Sequence, residues 1–555
     1  MLEFTLHRQD LDGPWHEGPA GWSAGNSRIA PLRLRALEEI VARCGRRLLV
    51  AVRERCRGAA GPVISGPAGC GTGAPVEVSP AQWEKILAGV TSWPLQYVCL
   101  TVEPGSAVDD PPRVTIRSGA WGTAPVFAVA SGDGLHGHWD PVLLYPLLDR
   151  DTPLEETLAA HFLATFETPY ARRTMLRGLH MITERSVARW PTEDGTLAVH
   201  YPVDAEPYGE REVRPDADVL DGLWRCLTSS VRRWLPDDAA SIAGCELSGG
   251  LDSALVTAAV AEVTGTGPRT YGLALAGVPG ARQHARRAEL VRRFGGADTT
   301  VPFAAHRPLA PDGPETFGRG AAGPMTPWEE CYAEASEAML DRAVQDGIQM
   351  IFTGLGGDEL SHPRRRAGRA GERPTTLAPE QLPAFLTPAA RDAALAAPKT
   401  IDTAPSSIPR GSAIETTALS SAQYLRRGIW PVHPLCTPEL VRLCAWLPTP
   451  WRTDRLFERH LLTRRGISPL VAFPPDTDDF EPVLIESLRH TARHRLETLF
   501  TTPLLADHGL VDPIRLQASY RAWRSGEPPD DPTPFYAAAT LELTLRTLTG
   551  HTGEA

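Results

Sequence analysis

The hexapeptide Ser248-Gly249-Gly250-Leu251-Asp252-Ser253 constrains this chain more than any other stretch. The apolar run Ile242–Leu247 before it predicts a buried strand, and the run Ala254–Val260 after it predicts a buried helix. A strand, a glycine-rich turn and a helix N-terminus together form an anion cradle. Glycines let the backbone approach a phosphate, and the first turn of the helix directs unpaired N–H groups at it. Two serine hydroxyls add donors. Asp252 is a poor neighbour for a polyphosphate unless a divalent cation lies between them.

A second run of the same design follows, Gln349–Phe352 and then Thr353-Gly354-Leu355-Gly356-Gly357-Asp358-Glu359-Leu360. Apolar segments alternating with helical ones, Leu220–Leu235, Tyr271–Leu275 and Gln283–Phe294 among them, predict a doubly wound parallel sheet over 218–555. Ligands of such sheets sit beyond the carboxyl ends of the strands, where both glycine turns fall.

Residues 1–205 read differently. Short alternating runs, Gln96–Val102, Arg113–Ile116 and Pro125–Val129, are separated by Gly, Pro and Asp, and predict a strand-rich α+β domain. Leu32–Val52 carries apolar residues at helical spacing and is expected to be its helix. Residues 206–217 lie in an aperiodic Pro/Glu/Asp stretch and read as the linker.

The 555 residues suffice for two or three domains, and the formal net charge of −11 argues against a general nucleic-acid binder. No apolar run is long enough for a membrane span, and the first residues lack a signal-peptide pattern, so a cytoplasmic protein is expected. The nine cysteines show no metal-binding spacing, which predicts reduced thiols.

SGGLDS resembles the pyrophosphate loop of the ATP pyrophosphatases in the asparagine synthetase branch. Those enzymes split ATP to AMP and pyrophosphate and activate a carboxylate as its adenylate. Gly354–Glu359 resembles that family's Gly-x-Gly-Gly-Asp-Glu motif. The resemblance implies ATP and Mg2+ as cofactors. It implies nucleotide contacts from Leu247, Ser248, Gly249, Gly250, Leu251, Asp252, Ser253, Gly272, Gly354, Leu355, Gly356, Gly357 and Glu359, and magnesium held by Asp252 and Asp358. Gly119–Phe127 and Gly134–Asp140 are similar to strands of the amino-terminal glutaminase-like (Ntn-type) domain of asparagine synthetases. A working glutaminase of that type needs a cysteine at its free terminus, where Leu2 stands here, so a degenerate domain without glutamine hydrolysis is expected.

The segment Tyr170–Arg185 is similar to one in the lasso-peptide macrolactam synthetases. That resemblance implies amide closure between a precursor peptide's N-terminal amine and an Asp or Glu side chain. It also implies a leader-binding protein and a leader peptidase as partners, with no nucleic acid or membrane involved. A β-lactam-synthetase-like enzyme acting on a small molecule and a catalytically silent binding homologue are the alternatives. Gly428–Leu440 aligns with the Gly-(Ile/Val)-Glu-x-Arg stretch of asparagine synthetases, with Trp430 replacing the glutamate and Val432 the arginine. Leu447–Arg452 resembles the Leu-Pro-x-x-Arg turn that follows. The family's phosphate-facing lysine aligns with Thr477; Arg464 or Arg465 is the expected cation in its stead and His433 the expected base. The cluster Arg364, Arg365, Arg366 and Arg369 is a candidate solvated loop, lid or phosphate clamp.

Overall fold

The computed structural model describes residues 1–58, 76–105, 111–120, 122–203, 209–235, 241–310, 326–361, 375–406, 412–475, 478–528 and 531–550. Its first 200 residues bend into strands where β-branched and aromatic residues alternate. Two seven-stranded sheets result among the described residues. In one, Leu2–His7 lies between Gly134–His138 and Ser27–Pro31, all antiparallel. In the other, Tyr97–Glu103 lies between Arg47–Glu54 and Arg113–Ser118. Leu2, Phe4 and Leu6 from one sheet and Leu48, Val50, Val98 and Leu100 from the other enter one hydrophobic core. Of Gly119–Phe127, Val126 and Phe127 lie in a strand, Val126–Ser131, which belongs to a different sheet from Arg113–Ser118. Trp121 lies outside the described residues.

Leu32–Val52 is not a helix. It supplies the hairpin of Leu37–Cys44 with Arg47–Glu54, turning at Gly45 with φ +60°. The apolar spacing mimics a helical face only because two strand faces are read in series. Ile40, Val41, Val50 and Val52 favour the extended backbone, and pairing with Tyr97–Glu103 buries Leu48–Val52 completely. Cys44, expected in a helix, ends the first strand of this hairpin.

The strands after residue 240 pair in parallel, in the order Asp298–Pro302, Arg269–Ala274, Ala243–Glu246, Met350–Phe352, Trp430–Val432. The chain starts in the middle, builds outward through two strands, returns, and builds the other way. The reversal falls between Ala243–Glu246 and Met350–Phe352, which makes that gap the topological switch point. The helix Val219–Trp234 starts on Asp218, whose side chain accepts from the Asp221 N–H. The helix Leu251–Thr264 is buried on nearly all sides and ends at Gly265. The helix Gly277–Phe294 covers the expected basic segment. This mixed α/β architecture, antiparallel sheets followed by a parallel five-stranded one, is the arrangement of an Ntn-type unit joined to a pyrophosphate-loop unit.

The described part of the expected linker is pinned. Arg211 donates its N–H to Trp446 O at 2.8 Å. Glu210 accepts from Arg452 Nη2 at 2.7 Å and from Thr449 Oγ1 at 2.5 Å, so the Leu447–Arg452 turn clamps it. Further ties join the antiparallel sheets to the second unit: Asp140 takes two guanidinium bonds from Arg426 at 2.6 and 2.7 Å. The Tyr170 carbonyl accepts from the Ala404 N–H at 2.7 Å. No helix among the described residues is long and apolar enough to cross a membrane.

Candidate nucleotide site

Both glycine turns leave the sheet at the switch point. Ser248–Ser253 follows Ala243–Glu246, and Gly354–Gly357 follows Met350–Phe352. In the first, a hydroxyl network sets the turn. Ser253 Oγ accepts the Ser248 N–H at 3.2 Å and meets Ser248 Oγ at 3.0 Å. Ser248 Oγ accepts the Gly250 N–H at 3.1 Å. Gly249 has φ +91°, which a side chain would strain. Leu247, Leu251 and Ser253 are buried while Ser248 is exposed, so the turn is anchored by its apolar residues and presents a hydroxyl. From behind, the buried Arg286 donates Nε–H to Gly249 O at 2.9 Å and Nη2–H to Asp478 Oδ1 at 2.6 Å. This ties the turn to the loop in which the sequence places Thr477; Thr477 itself, like Arg364, Arg365, Arg366 and Arg369, lies outside the described residues.

The second turn touches the first because it lacks side chains. A Cβ on Gly354 would stand 2.7 Å from Ser253 N, and one on Gly357 would stand 2.0 Å from Asp252 Oδ1. Gly356 has φ +96°. Leu355 N–H is held by Thr353 Oγ1 at 3.3 Å, and Gly357 opens the short helix that carries Asp358 and Glu359. Gly272 lies lower, on the neighbouring strand. Its missing side chain makes room for Leu247 O and the Arg287 guanidinium, each too close for any Cβ.

Asp252 and Asp358 face one group, Arg455. Its Nη2 bonds Asp252 Oδ1, its Nη1 lies 2.8 Å from Asp358 Oδ1, and its Nε lies 2.8 Å from Glu458 Oε2. Glu458 is also bonded by Ser361 Oγ. Burial pushes Asp252 up to about 6, with Arg455 pulling it down and Asp358 pushing it further up. Burial raises Glu458 as well. Among the described residues no group of three or more His, Cys, Asp or Glu is arranged to hold a metal. Two carboxylates facing each other suit a cation that brings most of its own oxygen ligands, as magnesium does with a polyphosphate.

The expected lysine substitutes are elsewhere. Arg464 makes a two-bond pair with Asp218, both at 2.5 Å, at the start of the helix Val219–Trp234. Arg465 pairs with Glu262 at 3.1 Å and lies over Trp224. Glu262 is ten residues beyond Asp252 on one helix, roughly 15 Å along its axis. Neither arginine reaches the turn; Arg286 and Arg455 do. The sequence hid them, because neither belongs to a motif and both arrive from other segments of the fold.

His433 is buried at the end of Trp430–Val432, with Nδ1 2.6 Å from Thr353 Oγ1. Burial lowers it to about 3, too weak a base to take a proton from an amine near neutrality. A tyrosine–acid pair that no motif marks lies at the foot of the first turn. Tyr424 donates its hydroxyl to Glu246 Oε1 at 2.7 Å, two residues before Ser248. Burial pushes Glu246 up to about 7 despite that bond. The signal was present: Glu246 is the one charged residue in the run Ile242–Leu247.

Residues 223–418 match the asparagine synthase family, roughly a third of the chain. The stretch takes in both glycine turns and four of the five parallel strands. No curated protein matches the chain. The fold is that of a pyrophosphate-loop unit, with both glycine turns at its switch point. The matched region is asparagine synthetase-like, which supports ATP-dependent amide-bond formation in general, with ATP as the nucleotide.

Proposed function

We propose that the chain is an AMP-forming amide ligase that closes a macrolactam in a ribosomal precursor peptide. The observation that carries the reading is the meeting of the two glycine turns at the switch point, with Asp252 and Asp358 facing the same space. ATP lies over Ser248–Ser253, whose N–H and hydroxyl groups take the departing pyrophosphate. Asp252 and Asp358 would hold a magnesium ion, which would supply charge neutralisation to the polyphosphate. The peptide's Asp or Glu carboxylate oxygen bonds the α-phosphorus as the bond to pyrophosphate breaks. The N-terminal amine then bonds the acyl carbon, AMP leaves, and the amine gives up a proton. Glu246, poised near neutrality beside Tyr424, is the group whose proton affinity suits that transfer. Catalysis rests on positioning and charge stabilisation.

The substrate assignment rests on the likeness of Tyr170–Arg185 to lasso-peptide synthetases. On this reading residues 1–205 are a glutaminase-like unit without its nucleophile, 206–217 the linker and 218–555 the synthetase unit. A leader-binding protein and a leader peptidase supply the exposed peptide, in the cytoplasm.

The test gives purified protein ATP and magnesium, with and without the precursor peptide encoded beside its gene. Expected are AMP, pyrophosphate and a peptide lighter by one water, all lost in Asp252→Ala. No AMP with peptide and neighbouring proteins present would overturn the reading. AMP with a small amino acid and none with the peptide would leave the ligase and remove the peptide.

A further inference from the structure

Arg455 stands where a divalent cation would bridge the two turns. Its guanidinium reaches acids from three segments: Asp252 at the start of the buried helix, Asp358 on the short helix after the second turn, and Glu458 on its own helix Leu456–Arg464. Its position is built, not incidental. Asp454 and Arg455 both hold left-handed backbone, with φ of +53° and +59°, which non-glycine residues keep only where their surroundings impose it. Glu458 is 1% exposed and Arg455 23% exposed, so the anchoring acid is sealed and the arginine is partly exposed.

A guanidinium in this place changes what the two aspartates can bind. Each gives an oxygen to it, so a hydrated cation arriving alone must displace an ion already held by three acids. A cation arriving on a polyphosphate meets a different balance. The phosphate oxygens complete its coordination, and they also offer the released guanidinium a partner of matching fork geometry. Asp252 and Asp358 pass from arginine to metal while the two Nη groups of Arg455 pass to phosphate, and Nε keeps Glu458, so no charge is left unpaired.

Resting on the nucleotide reading above, we propose that Arg455 is the resident counter-ion of the Asp252–Asp358 pair. It bars divalent cations from the empty site, so that metal enters only together with the nucleotide, and the displaced guanidinium then lies against the phosphates. Arg455 thus takes the charge-stabilising part for which no lysine is at hand.

The test measures Mn2+ binding to the full chain by the electron paramagnetic resonance of free Mn2+. Without nucleotide, R455M is expected to bind Mn2+ at least ten-fold more tightly than the unaltered protein, and D252N on that background to abolish the gain. R455K serves where R455M does not fold. Its single ammonium cannot hold three acids at once, so its affinity is expected to rise in the same direction. With α,β-methylene-ATP present, the unaltered protein is expected to take up Mn2+ as well. Equal nucleotide-free affinity in the unaltered protein, R455M and R455K would overturn the proposal. Failure of the analogue to recruit Mn2+ in every variant would instead remove the nucleotide reading, while the nucleotide-free comparison would still decide whether the arginine guards the acids.

Discussion

Trp430 donates its indole N–H to Glu54 Oε1 at 2.6 Å, across 376 residues of chain. The tryptophan ends up in the seam between the antiparallel sheets and the parallel one. Trp234 donates to the same oxygen at 2.9 Å, and Gln96 N–H donates to the other at 2.8 Å. The residue that replaces the family glutamate therefore serves the joint between the units. Trp430→Phe keeps the ring and removes one donor from a buried carboxylate. It should destabilise the protein by about 1–3 kcal/mol, seen as a lower urea midpoint. An unchanged midpoint would mean that the seam bond contributes nothing.

The same carboxylate predicts a pH dependence. Burial raises Glu54 to about 7, above its ordinary 4.5, although its three donors pull it down. The folded state thus binds this proton more tightly than the unfolded state. Its contribution is fully present below about pH 4.5 and is lost as pH rises towards 7, at most ~3 kcal/mol. Glu246, also raised to about 7, adds in the same direction. Urea midpoints between pH 5 and pH 8 should fall less steeply in Glu54→Gln than in the unaltered protein. Parallel slopes would show that Glu54 does not titrate in this range.

Gly357→Ala tests the contact between the turns. Its Cβ would stand 2.0 Å from Asp252 Oδ1, so Asp252 must move. AMP formation should fall by about a hundred-fold or more, corresponding to roughly 3 kcal/mol of transition-state stabilisation, with the circular dichroism spectrum unchanged. Full activity would show that the register of Asp252 against the second turn is immaterial.

Gly222→Ala is the contrasting case. Gly222 lies inside the helix Val219–Trp234, and among the described residues nothing beyond its own turn of helix comes within 4 Å of where a Cβ would stand. Alanine should stabilise the protein by about 0.5–1 kcal/mol through helix propensity alone, raising the thermal midpoint and leaving ligation untouched. A lowered midpoint would mean that this helix needs the glycine.

Tyr424→Phe removes the hydroxyl whose bond pulls Glu246 down against the upward push of burial. The acidic limb of the ligation rate should move to higher pH, because a carboxyl with less support for its charged form ionises later. Unmoved limbs in both Tyr424→Phe and Glu246→Gln would exclude this pair from the proton transfer.

The sequence by itself determined the local pieces. Ser248–Ser253 and Gly354–Gly357 carry their turns in their own glycines and hydroxyls, so strand, turn and helix were legible from short-range chemistry. Alternation of strand and helix was enough to predict the parallel sheet, and the short alternating runs were enough for the antiparallel half. In Leu32–Val52 one residue pattern satisfies two periods, and only pairing with Tyr97–Glu103 selects the strand. Tertiary structure alone decided which charges meet. Arg464 and Arg465 are spent on Asp218 and Glu262, while Arg455, Arg286 and Tyr424 come to the turn from positions 203, 37 and 178 residues away from their partners there. Side chains so far apart in sequence carry no spacing signal. Their encounter depends on strand order at the switch point and on which carboxylates burial leaves in need of a partner.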